Sequence, residues 1–430
     1  MTGLAIVVTI VVSVSTGISS NIALAVLAVA FGGLLVWRLG LDRAFIWALL
    51  IPWQFLPFIK ANILLNPWIW IALLRLLSKT KPHDSRPPAW TIVMLVFLAP
   101  SAYLGSSLLF GIDETSLLMW VIPAVIVGFS FLLRPPDSTL MRRQIVLVGG
   151  VYTLLTIVEF ITDISFNNLL ADVPGVSDYL RSSRSLGPAG NPLFSSAVLL
   201  VVFFAIPRSM RFANTMRALV ILAIVMTGSK SALIGLAVAL PVAVFSLGIR
   251  RSFGLIASSA LGAVLILTTL PTAATALLDR FSVFENLQES DPDRAFTTDF
   301  VLGSILENPL GGIPIGSVLV EKQLRSPVEN GDRFGIESTW LALMSDVGVF
   351  VFILIAVSVA YRLIENFKQW ESVGILALFV SLFFWNGWYG AWVIIPLWSC
   401  LVFSNSASEN SSAVPGPYPV GRTALPIGSR

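Results

Sequence analysis

The stretch "MTGSKSALIG" at residues 226–235 separates two apolar runs, residues 218–225 and 232–247. Neither run contains a charged residue, so each is suited to a helix in an apolar environment. A lysine, Lys230, stands in the short connection between them. Gly228 is suited to end the first helix, and Ser229 or Ser231 to cap the second. The stretch therefore predicts a tight helical hairpin with a cation at its tip.

The composition of the whole chain extends this pattern. The 430 residues are 56% hydrophobic and 12% charged, with a mean hydropathy of +0.86. Soluble domains carry about 25% charged residues, so we predict a polytopic membrane protein. The net charge of +3 arises from loops and does not indicate nucleic-acid binding. A single cysteine, Cys400, and a single histidine, His83, exclude an intramolecular disulfide and a Cys/His zinc site.

Apolar blocks recur along the chain and predict an all-α fold with about 12–14 transmembrane helices. The first block, residues 4–18, has neither a basic segment before it nor a cleavage site, which predicts a retained span rather than a signal peptide. The predicted divisions are transmembrane helices within 1–271 (with an outer loop at 163–191), a helical extracytoplasmic loop or cap at 272–338, C-terminal transmembrane helices within 339–403, and a Ser/Pro/Gly-rich disordered tail at 404–430.

Basic residues predict the orientation of the chain. With the N-terminus in the cytoplasm, the short outer loops contain only Lys60 and Lys230 as basic residues. Each inner loop contains two or three, and one of these loops contains Arg208, Arg211 and Arg217. This asymmetry is the positive-inside pattern. It predicts cytoplasmic N- and C-termini and places the loops 163–191 and 272–338 on the outer side.

The longest outer loop predicts a folded cap over the membrane. The segment 293–312 has helical periodicity, and we expect one or two helices in the loop. Four residues are predicted to share an apolar face there: Phe296, Phe300, Ile305 and Leu306.

The sequence around Lys230 does not fit a nucleotide-binding loop. Residues 223–231 lack the leading glycine, a serine separates Gly228 from Lys230, and the site is predicted on the outer side. Two interpretations remain: a phosphate site built with backbone N–H groups of the second helix, or a lysine extending to lipid headgroups. The roles of Arg181 and Arg184 also have two interpretations. Two arginines in a Gly/Pro-rich turn suit phosphate binding, but they also fit ordinary surface charge.

Three carboxylates lie at or inside predicted spans. Glu337 precedes a span, where a helix N-terminus favours an acidic residue in any case. Asp346 lies about two turns deeper in the same span. Glu159 is also placed within an apolar segment. Carboxylates at such depth usually face protein or water rather than lipid.

Four motifs occur in an order that resembles the O-antigen polymerase and O-antigen ligase superfamily. They are "RSLGPAGNPLFSSA" (184–197), "SKSAL" (229–233), "DRAFTTDFVLGSILENPLGGI" (293–313) and "ESTWLALMSDVG" (337–348). The resemblance covers about residues 180–360. It implies a C-type glycosyltransferase membrane fold that needs no metal and no cofactor. It also implies polyprenyl-pyrophosphate-linked glycans as donor and acceptor, with a chain-length regulator and a flippase as further partners.

The resemblance also implies roles for individual residues. Arg184, Lys230 and Arg294 would bind the pyrophosphate. Arg181 is a further candidate for this site, because it lies in the same outer turn as Arg184. We expect Glu337 to act as the base, since a carboxylate is suited to take the proton of the acceptor hydroxyl. Two positions depart from the family pattern. The family usually has arginine where Lys230 stands, and lysine keeps the charge but loses the planar fork. Ligases typically have histidine where Glu337 stands, which favours a polymerase.

We therefore expect polymerisation of lipid-linked repeat units into an envelope or exopolysaccharide. The expected place is the outer face of the bacterial cytoplasmic membrane, in contact with membrane lipids. The alternatives are a ligase that transfers glycan to a lipid or protein acceptor, a lipid-linked oligosaccharide flippase or transporter, and a non-enzymatic envelope scaffold. A flippase is disfavoured because most charges avoid the spans and the candidate site lies on the outer face.

Overall fold

The computed structural model describes helical segments from several parts of the chain. The described residues are 32–34, 36–50, 67–78, 126, 130, 138–162, 185, 187–188, 192–207, 210–269, 299, 301–303, 305–307, 309, 338–365 and 370–382. Within them the secondary structure is helical and no strand occurs, which confirms the all-α prediction for this part of the chain. Residues 1–31 and the predicted tail lie outside the described residues.

The helices follow one another in sequence. They are α1 (Leu41–Leu50), α2 (Pro67–Leu77), α3 (Ser138–Thr162), α4 (Pro192–Ala205), α5 (Ala213–Met226), α6 (Lys230–Leu247), α7 (Ile249–Thr269), α8 (Thr339–Glu365) and α9 (Trp370–Ser381).

Helix α4 is the centre of the bundle. It contacts α3, α5, α6 and α9, and nearly all of its side chains are buried. Its sequence, "PLFSSAVLLVVFFA", is apolar on every side after the two serines, and a helix that is apolar all round is suited to full burial. The neighbouring helices therefore pack around α4.

Glycines allow the helices to approach closely. A Cβ atom at Gly149 of α3 would overlap Val202 of α4, and one at Gly374 of α9 would overlap the ring of Phe204. A Cβ at Gly235 of α6 would overlap a backbone carbonyl oxygen of α9. Small residues at such contacts are typical of helix packing in membranes, where lipid is as apolar as the side chains.

Two buried arginines satisfy polar groups between helices. Arg217 of α5 is 1% exposed and donates to the carbonyl of Ile206 at the end of α4 (2.6 Å). It thereby satisfies one of the carbonyls that a helix end leaves without an intrahelical donor. Arg75 of α2 donates to Asp42 (2.7 Å) and to the carbonyl of Ser130 (2.9 Å). The sequence placed Arg217 among inner-loop charges, whereas the structure buries it in the bundle.

Helix α3 has several polar residues on its buried side and large apolar residues on its exposed side. Its buried residues include Thr153, Thr156 and Glu159, whereas Leu147 and Leu154 are more than half exposed. This is the reverse of a helix on a water-soluble domain and is expected where the outer face meets lipid. By length and composition, α3 from Arg142 to Thr162 and α6 from Lys230 to Leu247 are able to cross a membrane.

Two details of the predicted cap and span differ from the structure. Ile305 is buried as predicted, but Leu306 is 79% exposed, and the buried partner of Ile305 is Val301, one helical turn earlier. Phe296 and Phe300 lie outside the described residues. Helix α8 forms where the sequence predicts a span from residue 339, but it is broken at Gly348, which has φ 79° and ψ 161°.

We predict that Gly235→Ala destabilises the α6–α9 packing. The new methyl group would meet the Ala377 carbonyl, and overpacking of a close contact costs about 1–3 kcal/mol. A thermal melt of detergent-solubilised protein measures this as a lowered midpoint. Val238→Ala in the same helix is the control, because Val238 is 40% exposed. Equal midpoints for the two variants would contradict the proposed close contact.

Candidate functional site

The turn between α5 and α6 adopts the predicted hairpin. Helix α5 ends at Met226, and the N–H of Gly228 donates to the carbonyl of Val225 (2.8 Å). Gly228 has φ 62°, which is the left-handed conformation that favours glycine at a helix end. Ser229 then occupies the N-cap position of α6 in extended conformation. The predicted helix end at Gly228 is confirmed, and Ser229 occupies the predicted N-cap position.

The side chain of Ser229 takes part in a hydroxyl cluster instead of capping α6. It makes no capping hydrogen bond. Its Oγ accepts from Ser196 of α4 (2.8 Å) and lies 3.0 Å from the Oγ of Ser231. All three serines are buried. The cluster therefore fastens the start of α6 to the start of α4.

Lys230 is the first residue of α6 and is half-buried between Ser229 and Ser231. Cations are normally favoured at helix C-termini, because the N-terminus carries the positive end of the helix dipole. Lys230 therefore adds a charge of the same sign to the N-terminus of α6. The result is a local concentration of positive potential, which suits an anion.

A second turn, before α4, packs against the same end of the bundle. The N–H of Ser185 donates to the carbonyl of Met226 at the end of α5 (2.8 Å). Gly187 has φ 66°, and a Cβ there would overlap the side chain of Ser195. The segment just after Arg184 in sequence is thereby held next to the α5–α6 turn.

Glu159 anchors this second turn from α3. Its Oε2 accepts from the hydroxyl of Ser185 (2.7 Å) and from the N–H of Gly187 (2.5 Å). Glu159 is 4% exposed, so the carboxylate faces protein rather than lipid, as its depth predicted. Its two donors were not evident from the sequence, because they lie 26 and 28 residues away.

The start of α8 is fixed by an aromatic contact. Helix α8 begins at Thr339, two residues after Glu337, and the hydroxyl of Ser338 accepts from the N–H of Leu341 at 3.5 Å. Trp340 is buried, its ring centroid lies 4.0 Å from that of Phe379, and its indole N–H donates to the carbonyl of Phe379 (3.2 Å). Trp340 lies in the motif that begins with Glu337, but residue type and spacing alone gave no sign of this role.

At its break, α8 contacts the segment of the chain between α7 and α8. At Gly348 the backbone leaves the helical conformation, and the N–H of Val349 donates to the carbonyl of Pro309 (3.0 Å). Pro309 belongs to the Asn-Pro motif of the loop. The loop thus satisfies a backbone group exposed by the break, as buried backbone groups require.

Of the predicted site residues, the structure describes Lys230. Arg181, Arg184, Arg294 and Glu337 lie outside the described residues. The backbone of Asp346 lies in α8, and its side chain is also outside the described part. The structure joins the residue after Arg184 to the turn that carries Lys230, because the N–H of Ser185 donates to the carbonyl of Met226.

A comparison with known protein families finds a match for the part of the chain that contains the α5–α6 turn. Residues 215–356 match the family model described as O-antigen ligase. This part of the chain is therefore similar to proteins of the O-antigen ligase family. The match spans about a third of the chain and includes α5, α6, α7 and the start and break of α8. Neither the curated proteins nor the solved structures contain a significant match to the chain.

The family match supports a general function. Domains of this family are membrane-embedded and carry out glycan transfer of the ligase or polymerase type with lipid-linked substrates. The prediction of this family from the four motifs is therefore confirmed. Among the described residues, no three His, Cys, Asp or Glu side chains cluster as a metal site would require.

We predict that Gly228→Val disrupts the α5–α6 turn whereas Gly228→Asn is tolerated. A branched side chain is strongly disfavoured in the left-handed region, at a cost of about 1–2 kcal/mol, whereas asparagine adopts it routinely. Glycan product formed by membranes that contain equal amounts of each variant is the readout. Similar product from both variants would show that the turn conformation does not matter to transfer.

Proposed function

We propose that the chain polymerises polyprenyl-pyrophosphate-linked oligosaccharide repeat units at the outer face of the bacterial cytoplasmic membrane. The observation that carries the proposal is the position of Lys230, at the N-terminus of α6 and inside the O-antigen ligase match. The product would be an envelope polysaccharide or exopolysaccharide. The proposal places both termini in the cytoplasm and the site on the outer side, as the distribution of basic residues indicates.

The proposed pyrophosphate site combines cations from three parts of the chain. Lys230 would come from the α5–α6 turn, Arg184 and Arg181 from the segment before α4, and Arg294 from the outer loop. The anchoring of Ser185 to Met226 supports the pairing of the first two parts. The bond between Val349 and Pro309 supports contact of the outer loop with the same family domain.

The chemistry explains why cations and a carboxylate suit this reaction. Transfer breaks the bond between the anomeric carbon of the donor and the pyrophosphate oxygen, and the electron pair leaves with the pyrophosphate. Positive side chains and helix N–H groups stabilise the charge that develops on this leaving group. The acceptor hydroxyl forms the new bond to the anomeric carbon, and Glu337 would take its proton. Direct attack would invert the anomeric centre.

The glutamate at position 337 favours polymerisation over ligation. Ligation onto a lipid or protein acceptor is the second candidate, since the family match covers both activities in general. A chain-length regulator and a flippase that delivers the repeat units are the proposed protein partners. No nucleic-acid partner is proposed.

We predict that Lys230→Ala abolishes polymer, whereas Lys230→Arg retains it. Loss of one preorganised positive group at a developing anion lowers the rate by about 100- to 1,000-fold. The measurement is complementation of a deletion strain, followed by analysis of lipid-linked glycans at matched protein levels in the membrane. A polymerase defect leaves single repeat units.

Other outcomes of the same experiment separate the alternatives. Accumulation of full-length lipid-linked polymer in the Lys230→Ala strain would identify a ligase instead. Normal polymer would leave Lys230 as a lysine that contacts lipid headgroups. Purified protein that elongates lipid-linked repeats without an ion gradient would exclude a transporter.

We predict that Glu337→Gln lowers the turnover of purified protein by about 100-fold or more, because general base catalysis contributes about 10²–10⁴-fold. The apparent KM for the donor should change little, since the amide keeps the shape of the side chain. The control is Glu307→Gln in the outer loop, where the carboxylate is exposed. Full activity of Glu337→Gln would remove this residue from the role of base.

A further inference from the structure

The carboxylate of Glu159 holds the turn before α4 with two hydrogen bonds on one oxygen. The hydroxyl of Ser185 and the N–H of Gly187 both donate to Oε2. Glu159 itself is carried by α3, a helix of 25 residues that packs on α4 and α5. These two hydrogen bonds therefore anchor the turn to a long helix.

The same turn is tied to the α5–α6 hairpin through its backbone. Ser185 donates its N–H to the carbonyl of Met226, and Lys230 follows four residues later. Arg184 immediately precedes Ser185 in the sequence and is joined to it by a rigid peptide bond. Any movement of Ser185 away from α3 would therefore move Arg184 relative to Lys230.

We propose that Glu159 is a positioning residue for the anion site. It fixes the turn that follows Arg184 against the turn that carries Lys230, so that both cations address one pyrophosphate. This inference rests on the proposed function of Arg184 and Lys230. Glu159 does not touch substrate in this arrangement, because its carboxylate is buried beneath the turn.

The charge of Glu159 accounts for the choice of residue. Hydrogen bonds to an ionised acceptor are shorter and about twice as strong as neutral ones. A carboxylate oxygen accepts from both donors of the turn at once, whereas an aliphatic residue accepts from neither. Glutamine keeps a carbonyl oxygen in place of Oε2, so Glu159→Gln retains weaker versions of the same bonds.

The first test measures whether the turn stays packed against α3, and it does not depend on enzymatic activity. Ser195 is fully buried beneath Gly187, and the chain has a single cysteine, Cys400. In a Cys400→Ser background, Ser195→Cys is thus a reporter that a maleimide reaches when the turn lifts from α3. We expect Glu159→Ala to raise the labelling rate in membranes by about tenfold or more, as loss of hydrogen bonds to a charged group predicts.

Two matched variants serve as controls for the labelling. Glu159→Gln should stay within about threefold of the parent, because its bonds are weakened and not removed. Thr153→Val removes another buried hydroxyl of α3, one that donates to the carbonyl of Gly149 in the same helix, and should leave the rate unchanged. Equal labelling of the Glu159→Ala and Thr153→Val reporters would overturn the inference, whatever the activity of the protein.

The second test measures whether the position of the turn affects binding of the donor substrate. With Cys400 and Ser195 intact, Glu159→Ala should raise the apparent KM for a polyprenyl-pyrophosphate-linked donor by about 100-fold, the cost of a misplaced binding group. Glu159→Gln should recover most of this loss. Faster labelling with an unchanged KM would overturn the positioning role, because a lifted turn would then not affect the donor. If Glu159→Ala does not accumulate in the membrane, Ser185→Ala replaces it, with a smaller shift in the same direction.

Failure of this inference is distinguishable from failure of the proposed function. Normal polymer from Lys230→Ala would refute the anion site itself. Loss of polymer in Lys230→Ala with no effect of Glu159→Ala on labelling or KM would leave that site standing and refute the role of Glu159 alone.

Discussion

The structure depends on the close packing of neighbouring helices against α4. In lipid, an apolar side chain gains little free energy when it moves from the hydrocarbon into the protein interior. Helix association therefore rests on dispersion contacts and on satisfied polar groups. Gly149 and Gly374 supply such contacts by admitting Val202 and Phe204 of α4 at short range. The dispersion contacts of α4 with its neighbours, and not the removal of its apolar side chains from water, therefore hold this part of the bundle together.

Several buried polar groups of the bundle lie where two of its turns close. The first turn of α4 contributes Ser195 and Ser196, α3 contributes Glu159, and the α5–α6 hairpin contributes Ser229. Each is hydrogen-bonded, as buried polar groups in an apolar environment must be. The remainder of α4 carries no polar side chain. One end of the bundle is therefore built to hold two non-helical segments in fixed positions, which is a requirement for any site that depends on exact placement of charges.

The sequence predicted local features well and long-range partners poorly. The hairpin at Gly228 and Ser229 followed from residue types alone, because a left-handed glycine and an N-cap serine are local preferences. The burial of Glu159 followed from hydropathy, but its partners did not, since they depend on how a distant turn folds back. The break at Gly348 was missed for the same reason. Glycine is common in transmembrane helices, and the acceptor that satisfies the break, Pro309, lies 40 residues earlier in a different segment.

The hairpin also explains how lysine would serve where the family usually has arginine. Arginine binds phosphate with a planar fork that supplies both charge and direction, whereas lysine supplies a point charge. At Lys230 the direction would come from the backbone, because the first N–H groups of α6 point along the helix axis and need partners beyond the helix. The hydroxyls of Ser196 and Ser231 engage Ser229, whose side chain leaves the capping role unfilled. Under the proposed function, pyrophosphate oxygens would fill that role, and the ammonium would need only to be close. On this account, charge at position 230 matters more than its geometry, and the rigidity of the hairpin replaces the fork of an arginine.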